Sequence, residues 1–567
     1  MKKNLSIKSF FASIAVLLLS LWSAKHKLIN SDEQNQICPP FDFDCVREYV
    51  SSVKSPVPEC GQELFHFNKY QLHFLLRFML RIASKMYARL DLFETVLGDY
   101  EETPMNFLPS YSVRAFKICA KCDDYAMMRE EGLNNGFNKY CGSSSYGHNE
   151  TMTGTLFLPV EDSFPGMPLK LKPGDLSGSI FMHGFVSPRG PSQIAPKTVL
   201  GWVYYMAELG TMFLLKGLPG IHPLDGKTLF NTIAPVMVAT KGAVVLEPDY
   251  IGYGNDKTLQ KPTGVPHGYQ TSTIPLWLRA EEFVKNLTKR EDSPLNGNVY
   301  VFGVSEGGTG VVPVGNAMHD LGAKVVAYPG CVPNNDYVSI IMRIVYKVIQ
   351  GDYMVDSYSF ATIGAMPLSS LSPYYDIPLN ESIFSEFAEP IVLDVVNSEI
   401  DVISSSWLVK DLIDSSPDCL NKRKNCTLAI NPALIENFRA VQSFNPVVNE
   451  EYLPCNEKNP SPEFSNLCNA LRFGAIEKLY PNVQYPTKIC HSPNDEISFF
   501  SDIPAKFPEN KFLSLKPTVE QWQNAEKIMG TINHPFSSLQ CQSLAAIDIA
   551  RYLTEEENRK SKSVNEG

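Results

Sequence analysis

Histidine is scarce in this chain, ten residues among 567. No two histidines stand at metal-ligand spacing, and Cys119-x-x-Cys122 has no second C-x-x-C to complete a zinc site. Basic charge is also short: 50 Lys and Arg face 61 Asp and Glu, for a formal net charge of −11. That balance argues against nucleic acid or an anionic membrane as the partner. Beyond the first residues no apolar run reaches transmembrane length without charges. Phe65–Phe93 comes nearest, but Arg77, Arg81, Lys85 and Arg89 recur at helical spacing and predict a long amphipathic helix near Leu64–Leu97. No extended stretch has the composition of a disordered tail, and the length suffices for a large core, in one domain with insertions or in two.

What is present starts at the N-terminus. Lys2, Lys3 and Lys8 precede an apolar run, Phe10 to Trp22, which ends in Ser23-Ala24. This is the pattern of a secretory signal over residues 1–24, with a retained signal anchor as the alternative. Removing the three lysines would take the net charge from −11 to −14. The 13 cysteines suit an oxidising compartment. They group as Cys38, Cys45 and Cys60; Cys119, Cys122 and Cys141; Cys419 and Cys426; and Cys455 and Cys468, with Cys331, Cys490 and Cys541 standing alone. Structural disulfides are the expected use, though pairing is not readable from spacing, and the odd count leaves at least one thiol over. Asn149, Asn286, Asn380 and Asn425 begin N-glycosylation sequons.

The most informative stretch is Val299–Gly310, Val-Tyr-Val-Phe-Gly-Val-Ser-Glu-Gly-Gly-Thr-Gly. An apolar, β-branched and aromatic run enters Gly303-Val304-Ser305-Glu306-Gly307, and a helix is predicted over Thr309–Leu321. Strand, tight turn and helix with serine at the apex is the nucleophile elbow of the α/β-hydrolase fold. The turn puts the serine in a strained conformation, so its neighbours at 303 and 307 must lack side chains.

The other expected strands are Tyr111–Lys117, Gly154–Pro159, the run from Gly178 into His183-Gly184-Phe185, Lys241 to Asp249, Ala323–Pro329, and a short one from Thr487. Helices are expected at Pro196–Leu218, Pro275–Asn286, Val519–Met529 and Ser537–Leu553. An apolar strand ending in His-Gly-Phe has the form of an oxyanion loop. The donors would be the N–H groups of Phe185 and of Glu306, with Gly184 clearing space and His183 supporting the loop. Between 335 and 480 the pattern turns to helices and loops with no clear parallel strand, the usual form of a cap inserted between sheet strands, with surface elaboration as the alternative. The expected organisation is therefore residues 1–24 signal, 25–110 an N-terminal Cys-containing extension with the long helix, 111–334 the first part of the core, 335–480 a largely helical cap, 481–556 the second part of the core, and 557–567 a polar tail.

His183-Gly184, Asp249-Tyr250-Ile251-Gly252-Tyr253-Gly254 and Gly303-Val304-Ser305-Glu306-Gly307-Gly308 occur in the order seen in secreted serine hydrolases. Over about 150–335 and 480–555 the chain resembles the secretory lipases, in which a large cap covers an α/β-hydrolase core. It departs from them at Glu306, where glutamine is expected, and in its N-terminal region. The resemblance implies that Asp249 and Tyr250 hold their loop together instead of acting on substrate. The fold's order of nucleophile, acid, base leaves Asp495 as the acid, with Glu496 and Asp502 as rivals, and His534 as the base, since no other histidine follows Asp495. The expectation is a secreted or lumenal Ser305–His534–Asp495 hydrolase of small-molecule or lipid esters. It would need no metal or cofactor, and its cap would meet a lipid interface transiently. A serine peptidase, an acyltransferase and a non-catalytic binding protein on the same fold remain alternatives.

Overall fold

A computed structural model describes residues 59–70, 109–121, 151–161, 169–172, 175–184, 234–251, 266–290, 292–330, 483–490 and 534–565, with a few single or paired positions between them. The chain divides after Val57, and all of these residues belong to the second unit. The signal segment, most of the expected amphipathic helix, the helices Pro196–Leu218 and Val519–Met529, and nearly all of the cap fall outside the described residues.

The frame is a seven-stranded sheet in the order β1-β2-β3-β5-β4-β6-β7. The strands are β1 Glu63–Phe67, β2 Ser112–Ala120, β3 Met152–Val160, β4 Leu176–Met182, β5 Ala243–Pro248, β6 Leu295–Val304 and β7 Lys324–Gly330. Pairs β1·β2, β2·β3 and β3·β5 are antiparallel, and β5·β4, β4·β6 and β6·β7 are parallel. Five strands thus share one direction. An eighth contribution comes from 487–490, which bridges β7 in parallel at Ala327↔Thr487 and Gly330↔Cys490. Among the described residues three long helices pack on it: α1 Pro266–Thr288, α2 Glu306–Asp320 and α3 His534–Asn565.

Alternation along the strands sorts side chains to two faces, because successive residues of a strand point opposite ways. Leu156, Leu158, Ile180, Val244, Leu246, Val299 and Val301 form one core with α1 and α2 residues such as Ile274, Trp277, Val311 and Val314. Phe157, Phe181, Val245, Tyr300 and Phe302 form the other with Ala545, Ala546, Ile549 and Leu553 of α3. The sheet is covered on both sides, which is why its central strands read as nearly unbroken apolar runs. The far end of α3 is anchored by Glu556, whose carboxylate accepts hydrogen bonds from Ser177 (3.0 Å), Asn296 (2.9 Å) and Asn298 (3.1 Å) at the opening ends of β4 and β6.

Three sequence expectations need correction. Glu63–Phe67, the expected start of the long helix, is an edge strand paired with β2, so the sheet begins inside the supposed extension. Its backbone gains a hydrogen-bonding partner in β2, which local helical periodicity cannot weigh. The last helix starts at His534, not Ser537, because a proline in the first turn, here Pro535, loses no intrahelical hydrogen bond. It also runs through the supposed tail to Asn565. The expected structural disulfides are present among the described residues, in pairings that spacing left open: Cys490 with Cys541 and Cys60 with Cys119.

Candidate active site

The site is built at the carboxyl edge of the parallel strands. Register brings Met182 of β4 opposite Gly303 of β6, and Val304 opposite Gly330 of β7. The residues that follow these positions therefore emerge side by side.

Ser305 is the residue between β6 and α2, with φ 54° and ψ −124°. It is one of two described non-glycine residues at positive φ, and such a backbone costs about 1–3 kcal/mol unless its surroundings impose it. They do. The Ser305 N–H donates to Gly330 O at 3.0 Å, and Ser305 O accepts from Thr309 N–H at 3.3 Å in the first turn of α2. A Cβ on Gly307 would lie 2.0 Å from Met182 O and 2.4 Å from His183 O; one on Gly303 would lie 2.6 Å from Met182 O. The elbow is pressed against the end of β4 so closely that neither position admits a side chain. Glu306 is the first residue of α2 and is buried. The Thr309 hydroxyl donates to its carbonyl. Backbone N–H groups at a helix start have no intrahelical acceptor and favour negative charge.

His183 and Gly184 follow β4. A Cβ on Gly184 would come within 3.9 Å of Ser305 Cβ, so this loop runs beside the serine. The loop is held from below. His183 is fully buried, its Nδ1 lies 2.7 Å from Gly184 O, and its imidazole stacks on the Tyr250 ring at 4.2 Å. The Tyr250 hydroxyl donates to His183 O at 2.8 Å, and its ring meets Tyr269 edge-on at 5.1 Å. Burial pushes the Tyr250 phenol well above its usual pKa, so it stays a hydrogen-bond donor. Asp249 accepts from the Thr153 hydroxyl at 2.6 Å, and its N–H donates to Thr153 O at 2.8 Å, which fastens the loop after β5 to β3. Nearby, burial lowers the Lys117 ammonium, while the Asp249 carboxylate acts in the opposite sense.

Seven expected residues, His183, Gly184, Asp249, Tyr250, Gly303, Ser305 and Gly307, thus lie at one edge of the sheet, with Glu306 beside them. Phe185 and Asp495 lie outside the described residues, and of His534 only the backbone is described, as the first residue of α3. The expected acid follows Cys490 by five residues, and the 487–490 segment reaches this edge beside Gly330. Sequence reasoning overlooked Gly330, whose carbonyl fixes the serine amide; the signal was Tyr-Pro-Gly closing an apolar strand. Among the described residues no group of three or more His, Cys, Asp or Glu could hold a metal ion.

No protein-family model matches the sequence, and no curated protein matches it. Solved structures do. One is a rice cell wall degrading esterase, LipA from Xanthomonas oryzae, at TM-score 0.50 and 14% identity, covering 88% of this chain and 98% of that one. The chain has the α/β-hydrolase fold. A ligand-bound form of the same esterase aligns at TM-score 0.49 and 15% identity over 86% and 96% of the two chains. The expected nucleophile Ser305 follows β6, the expected oxyanion loop follows β4, and the expected acid follows 487–490 in sequence.

Proposed function

We propose that the protein is a serine hydrolase of carboxylic esters, of lipase or esterase type. The observation that carries this is the conformation of Ser305: positive φ at a strand-to-helix turn, between two glycines that pack against the end of β4, with the His183–Gly184 loop alongside. A backbone held in this way is strained, and strain of this kind clusters at active sites, where a strand-to-helix turn presents the serine at the sheet edge. The esterase that shares the fold supports ester chemistry without fixing the substrate.

In the proposed reaction Ser305 Oγ attacks the ester carbonyl while His534 accepts its proton, and Asp495 orients the imidazole and stabilises its charged form. The N–H groups of Phe185 and Glu306 bind the oxyanion. Collapse breaks the carbonyl–oxygen bond, His534 returns the proton to the departing alcohol, and an acyl-enzyme remains on Ser305. Water, deprotonated by His534, then releases the acid. The chemistry needs no metal or cofactor. The N-terminal segment and the two disulfides among the described residues support a secreted or lumenal protein, because disulfides persist in oxidising compartments. A lipid or other bulky ester is the substrate class, met through the cap region.

The test is labelling of the purified protein by a fluorophosphonate, beside turnover of nitrophenyl esters of increasing chain length and of matched amides. The wild type should label and cleave esters, and Ser305→Ala should do neither. Undiminished turnover in Ser305→Ala would refute the assignment. Preference for amides would favour a peptidase, and transfer to an alcohol in place of water an acyltransferase.

A further inference from the structure

The Cys490–Cys541 disulfide joins the short strand at 487–490 to α3. Both cysteines are buried, and they form a small apolar cluster with Val304, the residue before Ser305. Gly330 lies against this cluster. A Cβ there would fall 2.9 Å from Cys541 Cβ, 3.0 Å from Val304 Cγ1 and 3.1 Å from Gly303 O. Gly330 is also the residue whose carbonyl accepts the Ser305 N–H, at 3.0 Å, and it is bridged to Cys490. Bond, glycine and serine backbone are thus in direct succession.

Along the chain the same bond stands close to both expected partners of the serine. Cys490 precedes Asp495 by five residues, a span of at most about 18 Å. Cys541 follows the start of α3 at His534 by seven residues, about 10 Å along the helix. The other described disulfide, Cys60–Cys119, sits on β2, four strands from β6 and so about 19 Å across the sheet.

We propose that Cys490–Cys541 is a positioning element of the hydrolytic site, holding the acid-bearing segment and the base-bearing helix in place against the nucleophile elbow. This rests on the serine hydrolase reading. Without the bond, 487–490 keeps its Lys488 N–H to Ala327 O (2.8 Å) and Cys490 N–H to Pro329 O (3.2 Å) contacts with β7. The Asp548 carboxylate of α3 still accepts from Lys488 and Tyr328, and Glu556 from β4 and β6, but these ties stand 14 and 22 residues beyond His534, whereas Cys541 stands seven beyond it. A displacement of about 1 Å between reacting groups lowers rates by roughly a hundredfold.

The experiment compares Cys490→Ala/Cys541→Ala with Cys60→Ala/Cys119→Ala and with Gly330→Ala, which keeps the bond but intrudes on its packing. Nitrophenyl ester kinetics, the second-order rate of fluorophosphonate labelling, the pH–rate profile and Tm are measured on each. The 490/541 variant should lose tenfold or more in kcat and labelling rate, with KM within about twofold and the acid limb of its pH profile displaced. Gly330→Ala should move the same way. The 60/119 variant should lose Tm while keeping kcat. A 490/541 variant, or Gly330→Ala should the former not be secreted, that labels at the wild-type rate with an unchanged pH profile would overturn the proposal even if its Tm fell. A wild type that never labels would overturn the hydrolase reading, and this inference with it.

Discussion

Gly307→Ala is the sharpest single perturbation of the elbow. The added methyl would sit 2.0 Å from Met182 O and 2.4 Å from His183 O, and ordinary contact begins near 3.4 Å. Relief thus requires about 1.4 Å of movement, and both obstacles are backbone, so no side-chain rotation supplies it. Either the start of α2 lifts, carrying the Glu306 N–H with it, or the His183–Gly184 loop withdraws from Ser305. Both spread the expected oxyanion donors apart. The cost should be about 1–3 kcal/mol of stability by overpacking and roughly a hundredfold or more in kcat by misplacement. Gly297→Ala is the control: its φ is positive, at 80°, so a side chain there strains the backbone, but nothing lies within 4 Å of its Cβ position. It should cost stability alone. The assay is nitrophenyl ester turnover per folded molecule, with the folded fraction from circular dichroism and active sites counted by fluorophosphonate. Wild-type turnover in Gly307→Ala would refute the claim that close packing of β4 on the elbow sets the catalytic geometry.

Other changes should separate catalysis from stability. Tyr250→Phe deletes the hydrogen bond to His183 O but keeps the stacked ring, so it should cost about 1–2 kcal/mol in chemical denaturation and lower kcat about tenfold through the loop. Glu556→Ala strips the acceptor from Ser177, Asn296 and Asn298 at the opposite end of the sheet; thermal melts should show a loss of about 2–3 kcal/mol with kcat intact. Burial raises the Glu281 carboxyl from 4.5 to about 6, so the folded protein binds that proton more tightly than the unfolded chain does. Stability should therefore fall by about 1–2 kcal/mol as pH rises from 4.5 to 6, and Glu281→Gln should flatten that part of a denaturation series.

The core of the fold was legible because its signals are local. Val299–Phe302 is apolar on both faces, Gly303 and Gly307 bracket Ser305, and no other turn chemistry explains that spacing. Likewise Ala243–Pro248 reads as a buried parallel strand from its own residues. What escaped depends on partners distant in sequence. Glu-Leu-Phe-His-Phe at 63–67 becomes a strand through β2, nearly fifty residues on, while its downstream arginines advertise a helix. The joining of Cys490 to Cys541 could not be read from thirteen cysteines, since pairing follows the meeting of chain segments and not their spacing. Gly330 matters for where its carbonyl points, which composition does not encode.

The position of α3 in the chain has a consequence for biosynthesis. Phe181, Phe302, Tyr300 and Tyr328 emerge from the ribosome before residue 331, whereas Ala545, Ala546, Ile549 and Leu553, which lie over them, come more than 200 residues later. At about 5–20 residues per second, a nascent chain waits roughly 10–40 s for that cover. For this interval a sheet rich in aromatics is missing its final layer, open to chaperones and to self-association. It is α3 that ends the exposure, and shortening this helix should trap the polypeptide in that sticky state.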